Sequence, residues 1–93
     1  MSVYVDPIMP CTPNKNWRYK YSCHLVADTV AELHAFAACL GLKRSWYQYK
    51  VISHYDLTVN KRREAVKLGA IEMNTKQLGD LIKKQRINLY GED

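Results

Sequence analysis

From Trp17 the chain alternates. Trp17, Tyr19, Tyr21, Cys23 and Leu25 fall on one side and Arg18, Lys20, Ser22 and His24 on the other, the period of a strand with one apolar and one cationic face. A shorter strand over residues 2–5 precedes it and stops at Asp6-Pro7, because Pro7 has no N–H to give to a ladder. Residues 8–16, with Pro10, Pro13 and Asn14, read as a loop. After Asp28 the period changes. Thr29 and Glu32 have the spacing of a capping box, and Val30, Leu33, Ala37 and Leu40 recur at helical intervals with Phe36 beside them. Gly41 is placed to end that helix in the left-handed conformation. Aromatic and β-branched residues return in Trp46, Tyr47, Gln48, Tyr49, Val51 and Ile52, predicting one strand that runs on into His54-Tyr55-Asp56-Leu57.

Thr58 then caps a helix over about residues 59–68, which stops at Gly69, and residues 70–73 give a short strand. Asn74 or Thr75 opens a last helix, whose Leu78, Leu81 and Ile82 make one narrow apolar stripe. A strand-rich first third followed by alternating strands and helices predicts an α/β fold. The expectation is a small single domain over residues 1–93, with a mixed, partly parallel sheet of four or five strands and three helices.

Composition narrows the class. A hydrophobic share of 47% with only 4 Gly and 3 Pro belongs to a folded globular chain, not to a linker or a disordered tail. A 93-residue core leaves a modest margin of stability, so a homo-oligomer is expected. No stretch approaches the roughly 20 apolar residues needed to span a bilayer, and the N-terminus lacks a basic segment followed by an apolar one. A cytoplasmic protein with no membrane partner follows as the expectation. Cys11, Cys23 and Cys39 are odd in number and contain no C-x-x-C pair, which predicts reduced thiols and neither a disulfide framework nor a zinc knuckle. The chain has no Gly-rich phosphate loop, no G-x-S-x-G elbow and no H-E-x-x-H. Cys23 and His24, adjacent on a strand, point to opposite faces and cannot serve each other as nucleophile and base.

Candidate chemistry gathers at the strand-to-helix junction around residues 54–63. On an extended segment His54 and Asp56 share a face and Tyr55 takes the other. Lys61 and Arg62 follow in the first turn of the next helix, where cations oppose the macrodipole and an anion would offset them. An imidazole, a carboxylate, helix N–H groups and two cations suit a phosphate-bearing ligand. The competing structural reading makes Asp56 an additional cap for that helix. His24 and Asp28 form a second pair at the far end of the long strand. If the two halves of the domain pack side by side, Asp6, His24, Asp28, His54 and Asp56 converge at neighbouring strand ends, where ligands of α/β sheets bind. Two imidazoles and three carboxylates are donors enough for a divalent metal, although no short metal-binding motif is present. Trp17, beside the Pro-containing loop, is the aromatic best placed for a pocket rim, and Trp17 or Trp46 would stack on a base. The same alternation is also what any half-buried strand shows. His34 reads as a boundary residue beside the apolar stripe of the first helix. The net charge of +5 is unevenly spread, since eight of the fourteen Lys and Arg lie after Leu57, so the C-terminal helices carry the basic surface.

Taken together, Val3-Tyr4-Val5-Asp6, the segment from His24-Leu25-Val26-Ala27-Asp28-Thr29 to Glu32-Leu33-His34-Ala35, Leu40-Gly41-Leu42 followed by Trp46, and His54-Tyr55-Asp56-Leu57 leading to Lys61-Arg62 and Gly69-Ala70 carry a resemblance. They resemble a small uncharacterised domain of bacteria and their phages, over nearly the whole chain. In some bacterial members that domain is joined to an HD-type phosphohydrolase domain. The resemblance implies a prokaryotic or phage protein and hints at nucleotide-related chemistry. It carries no activity with it. No second domain is read here, so a partner enzyme would be a separate chain.

The sequence therefore leads to an expected binder of a phosphate-bearing nucleotide or nucleotide-like small molecule, with phosphodiester hydrolysis as the reaction the same groups would perform. Its expected ligand-binding residues are Lys61, Arg62, His54, Asp56, His24, Asp28, Asp6 and Trp17, with His54, Asp56 and His24 as the candidates for catalysis. Two alternatives belong to other classes. One is a nucleic-acid-binding module using Lys83, Lys84 and Arg86, and the other is a phage accessory protein that docks on a host protein.

Overall fold

The computed structural model describes residues 2–15, 17–50 and 52–90, with only the backbone of Lys50 and of residues 86–90. The chain forms β1 (Val3–Val5), β2 (Met9–Pro10), β3 (Tyr21–Ala27), α1 (Val30–Cys39), a 3₁₀ turn (Arg44–Trp46), β4 (Gln48–Lys50), β5 (Ile52–Leu57), α2 (Val59–Lys67), β6 (Ile71–Glu72) and α3 (Thr75–Tyr90). The sheet has the order β4-β5-β3-β1-β6, and β2 adds to one end of β3. It is a mixed six-stranded sheet with three helices, an α/β domain. Among the described residues β1 and β6 pair in parallel and the other pairings are antiparallel. Because β3 runs against both of its neighbours, β1, β5 and β6 share one direction and end at one edge.

Local signals account for the helices. Thr29 accepts the Glu32 N–H and donates its hydroxyl to the Glu32 carboxylate, and Gly41 follows at φ +78°. Thr58 accepts the Lys61 N–H, and Gly69 ends that segment at φ +110°. Asn74 and Gln77 bond each other's backbone N–H, a reciprocal cap at 2.8 Å each.

Two apolar layers cover the sheet. On one face Val5, Cys23, Leu25, Tyr55 and Leu57 meet Leu33 and Ala37 of α1, Leu40 that caps it, and Ala65 of α2. On the other, Val26, Ile52 and Met73 pack with Tyr4 and with Leu78, Leu81 and Ile82 of α3. The second layer explains why Leu25, Val26 and Ala27 are all buried where strict alternation would leave Val26 outside.

Three expectations need correction. The alternating segment is a strand only from Tyr21, and Tyr19 and Tyr21 are exposed, so the apolar face begins at Cys23. The loop after β1 contains β2, which pairs Met9 with Ser22 and Pro10 with Tyr21 at an edge, where proline is tolerated. The single strand expected through residues 46–57 is a 3₁₀ turn and then a hairpin, with Lys50 opposite Ile52. Val51, assigned to that strand, lies outside the described residues. Among the described residues no helix is long and apolar enough to cross a membrane.

Candidate functional site

The registers of β1, β3 and β5 draw a row of polar side chains across the sheet. His24 on β3 stands opposite Asp56 on β5, and Asp6, the residue after β1, bonds its N–H to the His24 carbonyl. Opposed residues on neighbouring strands keep their Cβ atoms about 5 Å apart, so these side chains meet. His54, two residues before Asp56, joins them from the same face of β5. These side chains lie on the α3 face of the sheet, toward the edge at which β1, β5 and β6 end.

Asp6 is 5% exposed, and both oxygens of its carboxylate are engaged by His24 on β3. Its Oδ1 accepts the His24 N–H at 2.5 Å and its Oδ2 lies 2.8 Å from His24 Nδ1. With the carboxylate ionised, Nδ1 carries the proton and His24 Nε2 faces outward. The hydrogen bond to Asp6 holds the His24 imidazole above its ordinary pKa, against the opposing pull of burial. His54 is oriented differently. Its Nδ1 donates to the carbonyl of Ile52 at 2.8 Å, which again leaves Nε2 toward the cluster. The two rings meet edge to face, with centroids 4.9 Å apart at 83°.

Asp56 Oδ1 lies between them, 3.6 Å from His54 Nε2 and 3.9 Å from His24 Nε2, both beyond hydrogen-bonding distance. Its other oxygen accepts from Gln48 Nε2 at 2.5 Å, a contact from the hairpin strand β4. Gln48 escaped the sequence reading because only the unforeseen hairpin brings it beside Asp56. The competing role for Asp56 as a helix cap is filled by Thr58. The His24 side chain is 43% exposed and that of Asp56 30%, so the cluster opens to solvent while its supports, Asp6 and His54, are buried.

The remaining expected site residues are placed elsewhere. Asp28 follows the last residue of β3, about 13 Å along the strand from His24. There its carboxylate accepts the Ser2 N–H and the Tyr4 hydroxyl. Lys61 donates its Nζ to the carbonyl of Leu40 at 2.8 Å, completing the end of α1, and lies 3.7 Å from Glu64. Arg62 donates its Nε to the Asp6 carbonyl at 2.9 Å and its Nη1 to Glu72 at 3.0 Å, locking α2 to the ends of β1 and β6. Trp17 packs edge to face on Tyr19 at 5.2 Å, in the loop before β3. Trp46 is exposed on the 3₁₀ turn beneath the Lys43 ammonium, 5.7 Å from its ring. His34 sits among Tyr47 and Tyr55, with Nδ1 2.8 Å from the Tyr55 hydroxyl. Lys83 and Lys84 are exposed on α3, and the Arg86 side chain lies outside the described residues.

Beside α2 runs a groove of about 300 Å³. Ile8, Val59 and Val66 supply its apolar lining, Arg62, Arg63 and Lys67 its cations, and Glu72 a carboxylate paired with Arg62. Arg62 belongs both to this groove and, through its bond to the Asp6 carbonyl, to the scaffold of the cluster. Arg63 and Lys67 are exposed. One turn apart on α2, they present two charges along the same side of the helix.

A family model described as Protein of unknown function (DUF4031) matches residues 3–85. No curated protein and no solved structure matches the chain. The match agrees with the resemblance to an uncharacterised domain read from the sequence.

Proposed function

We propose that this chain, which belongs to the DUF4031 family of proteins of unknown function, binds a phosphate-bearing nucleotide or nucleotide-like small molecule at the His24, His54 and Asp56 cluster. The observation that carries this reading is the convergence of Asp6, His24, Asp56 and His54 from three strands at a solvent-open edge. Ligands of α/β sheets bind at such edges, beyond the carboxyl ends of the parallel strands. The groove beside α2, joined to the cluster through Arg62 and the Asp6 carbonyl, supports an anionic ligand with an apolar part, since Arg63 and Lys67 offer charge, Glu72 is paired with Arg62, and Ile8, Val59 and Val66 offer an apolar wall. Lys61 takes no part in this version, because its ammonium is engaged with the end of α1.

Phosphodiester hydrolysis is the reaction that the same side chains would serve. Water would form the new P–O bond while the ester P–O bond breaks; with no ion bound, the His54 Nε2 lone pair would take the water proton and the departing oxygen would take a proton from solvent.

A thermal-shift screen of the purified chain against nucleotides, cyclic nucleotides and NAD-related metabolites tests the reading. A ligand at about 100 times its Kd adds about 2.7 kcal/mol of stability. In a domain of this size that raises Tm by roughly 14 degrees. His54→Ala or Arg63→Ala should abolish the rise. No shift with any member of the panel would overturn the reading and turn attention to nucleic acid, whose binding would fall steeply with salt and depend on Lys83 and Lys84.

A further inference from the structure

We propose that His24 Nε2, His54 Nε2 and a carboxylate oxygen of Asp56 form a binding site for one divalent first-row transition-metal ion of the zinc class, held from behind by Asp6, Gln48 and the Ile52 carbonyl. The proposal uses the same residues as the function proposed above but does not depend on it, since the ion is bound by the protein alone.

Three independent features point to a cation at this place. The first is the donor set. One nitrogen from each ring and one carboxylate oxygen all lie within 4.8 Å of one another. Two imidazoles and a carboxylate are the ligands of catalytic zinc and non-haem iron sites, and they leave coordination positions open for water or substrate. Ligands about 2.1 Å from a tetrahedral ion stand about 3.4 Å apart. The 3.6 Å and 3.9 Å separations from Asp56 Oδ1 need little further closure, and the two ring nitrogens, within 4.8 Å of each other, need more, which the partly exposed His24 can supply.

The second feature is the support behind each donor. His24 gives its Nδ1 proton to a buried carboxylate and His54 gives its Nδ1 proton to a backbone carbonyl, so both rings are held in the tautomer that turns an Nε2 lone pair toward Asp56. A carboxylate or carbonyl behind a ligating histidine is the usual outer shell of a metal site, where it orients the ring and raises its basicity. Asp56 is likewise oriented, by Gln48 on its far oxygen. A purely structural histidine needs no such arrangement on both rings at once.

The third feature is charge. One carboxylate, Asp56, faces the donor nitrogens and a second, Asp6, stands behind His24, while the cations expected beside them are committed elsewhere, Lys61 to Leu40 and Arg62 to the Asp6 carbonyl and Glu72. A phosphate approaching Asp56 would meet like charge. An ion bound by Asp56 would remove that repulsion and could bridge the carboxylate to a phosphate oxygen. Magnesium and calcium fit less well, because they prefer all-oxygen shells.

Cobalt(II) is the probe. Titrated into the full chain after chelator treatment, it should bind with one-to-one stoichiometry and give a visible d–d absorption without the thiolate charge-transfer band that cysteine ligation would add. Zinc should compete it away. Asp56→Asn keeps the shape and an acceptor for Gln48, and together with His54→Ala and His24→Ala it should remove stoichiometric binding. Asp6→Asn should weaken it by about 10- to 100-fold, the usual cost of losing an outer-shell partner. Cys11→Ser and Cys39→Ser should bind as the parent does. Circular dichroism and a thermal melt establish that each variant is folded. A folded parent that binds no cobalt, or a folded Asp56→Asn that binds it unchanged, would overturn the site. Cobalt binding without any nucleotide shift would uphold the site and overturn only the ligand reading, and a nucleotide shift without cobalt binding would do the reverse.

Discussion

One buried carboxylate holds His24 twice: Asp6 Oδ1 accepts the backbone N–H at 2.5 Å while Oδ2 lies 2.8 Å from the ring Nδ1 of the same residue. The side chain that follows β1 thereby sets both the strand position and the ring orientation of a residue on β3. Asp6→Asn can still accept the backbone N–H through its amide oxygen, but it then turns an NH₂ group toward Nδ1. The ring must flip or move its proton to Nε2. We expect a loss of about 1–3 kcal/mol, the cost of an unsatisfied buried group. Urea denaturation should show it as a lower midpoint with an unchanged slope. A midpoint equal to that of the parent would mean that the clamp adds nothing.

Cations on α2 should separate by role. Lys61 holds the Leu40 carbonyl at the end of α1, whereas Arg63 is exposed in the groove wall. Lys61→Met should lower stability by about 1 kcal/mol and leave any ligand-induced shift intact. Arg63→Met should keep stability within about 0.5 kcal/mol and lose the shift. Chemical denaturation and ligand melts on the same two variants check both halves, and the reverse pattern would reassign the ligand to the helix N-terminus.

The histidines should give opposite pH dependences. Burial, helped by the Arg44 charge, pushes His34 below the ordinary imidazole range. An unfolded histidine titrates near about 6.5, so below that pH the unfolded chain binds more protons and the contribution of His34 is lost as pH falls. The hydrogen bond to Asp6 raises His24, so its contribution is complete below about 6.5 and is lost as pH rises through the native value. In chelator-treated protein, the stability gap between the parent and His34→Gln should narrow from about pH 7.5 to about pH 5. The gap to His24→Gln should narrow in the other direction. Melts across that range decide it, and gaps that do not vary with pH would count against both assignments.

Thiol reactivity should follow burial. Cys23 is buried in the core beneath α1 and α2, and desolvation followed by the Asp6 charge pushes its thiol up to about 12. Cys39 is exposed and Cys11 only partly covered. Iodoacetamide near pH 8 should modify Cys39 fastest and spare Cys23 in the folded chain, while all three react in denaturant. Mass spectrometry of the modified peptides reads this directly. Early modification of Cys23 would mean that the β3 core opens far more readily than its packing implies.

The sequence alone determined what is decided within about four residues. The Thr29 and Thr58 caps, a cap at Asn74 or Thr75, the turns at Gly41 and Gly69, and the shared face of His54 and Asp56 all follow from backbone geometry that neighbours along the chain impose on one another. The two-sided burial of β3 and the hairpin at β4 and β5 were not legible there, since the first depends on α3 packing against the far face and the second lacks a glycine or asparagine to mark its turn. Tertiary structure alone decided the site. Asp6 reaches His24 across 18 positions and His24 faces Asp56 across 32, and both meetings depend on strand register. A slip of one residue would turn His24 into the core and bring Cys23 or Leu25 to the surface. Register is chosen by burying Cys23, Leu25, Tyr55 and Leu57 together on one face, a condition set by the whole sheet.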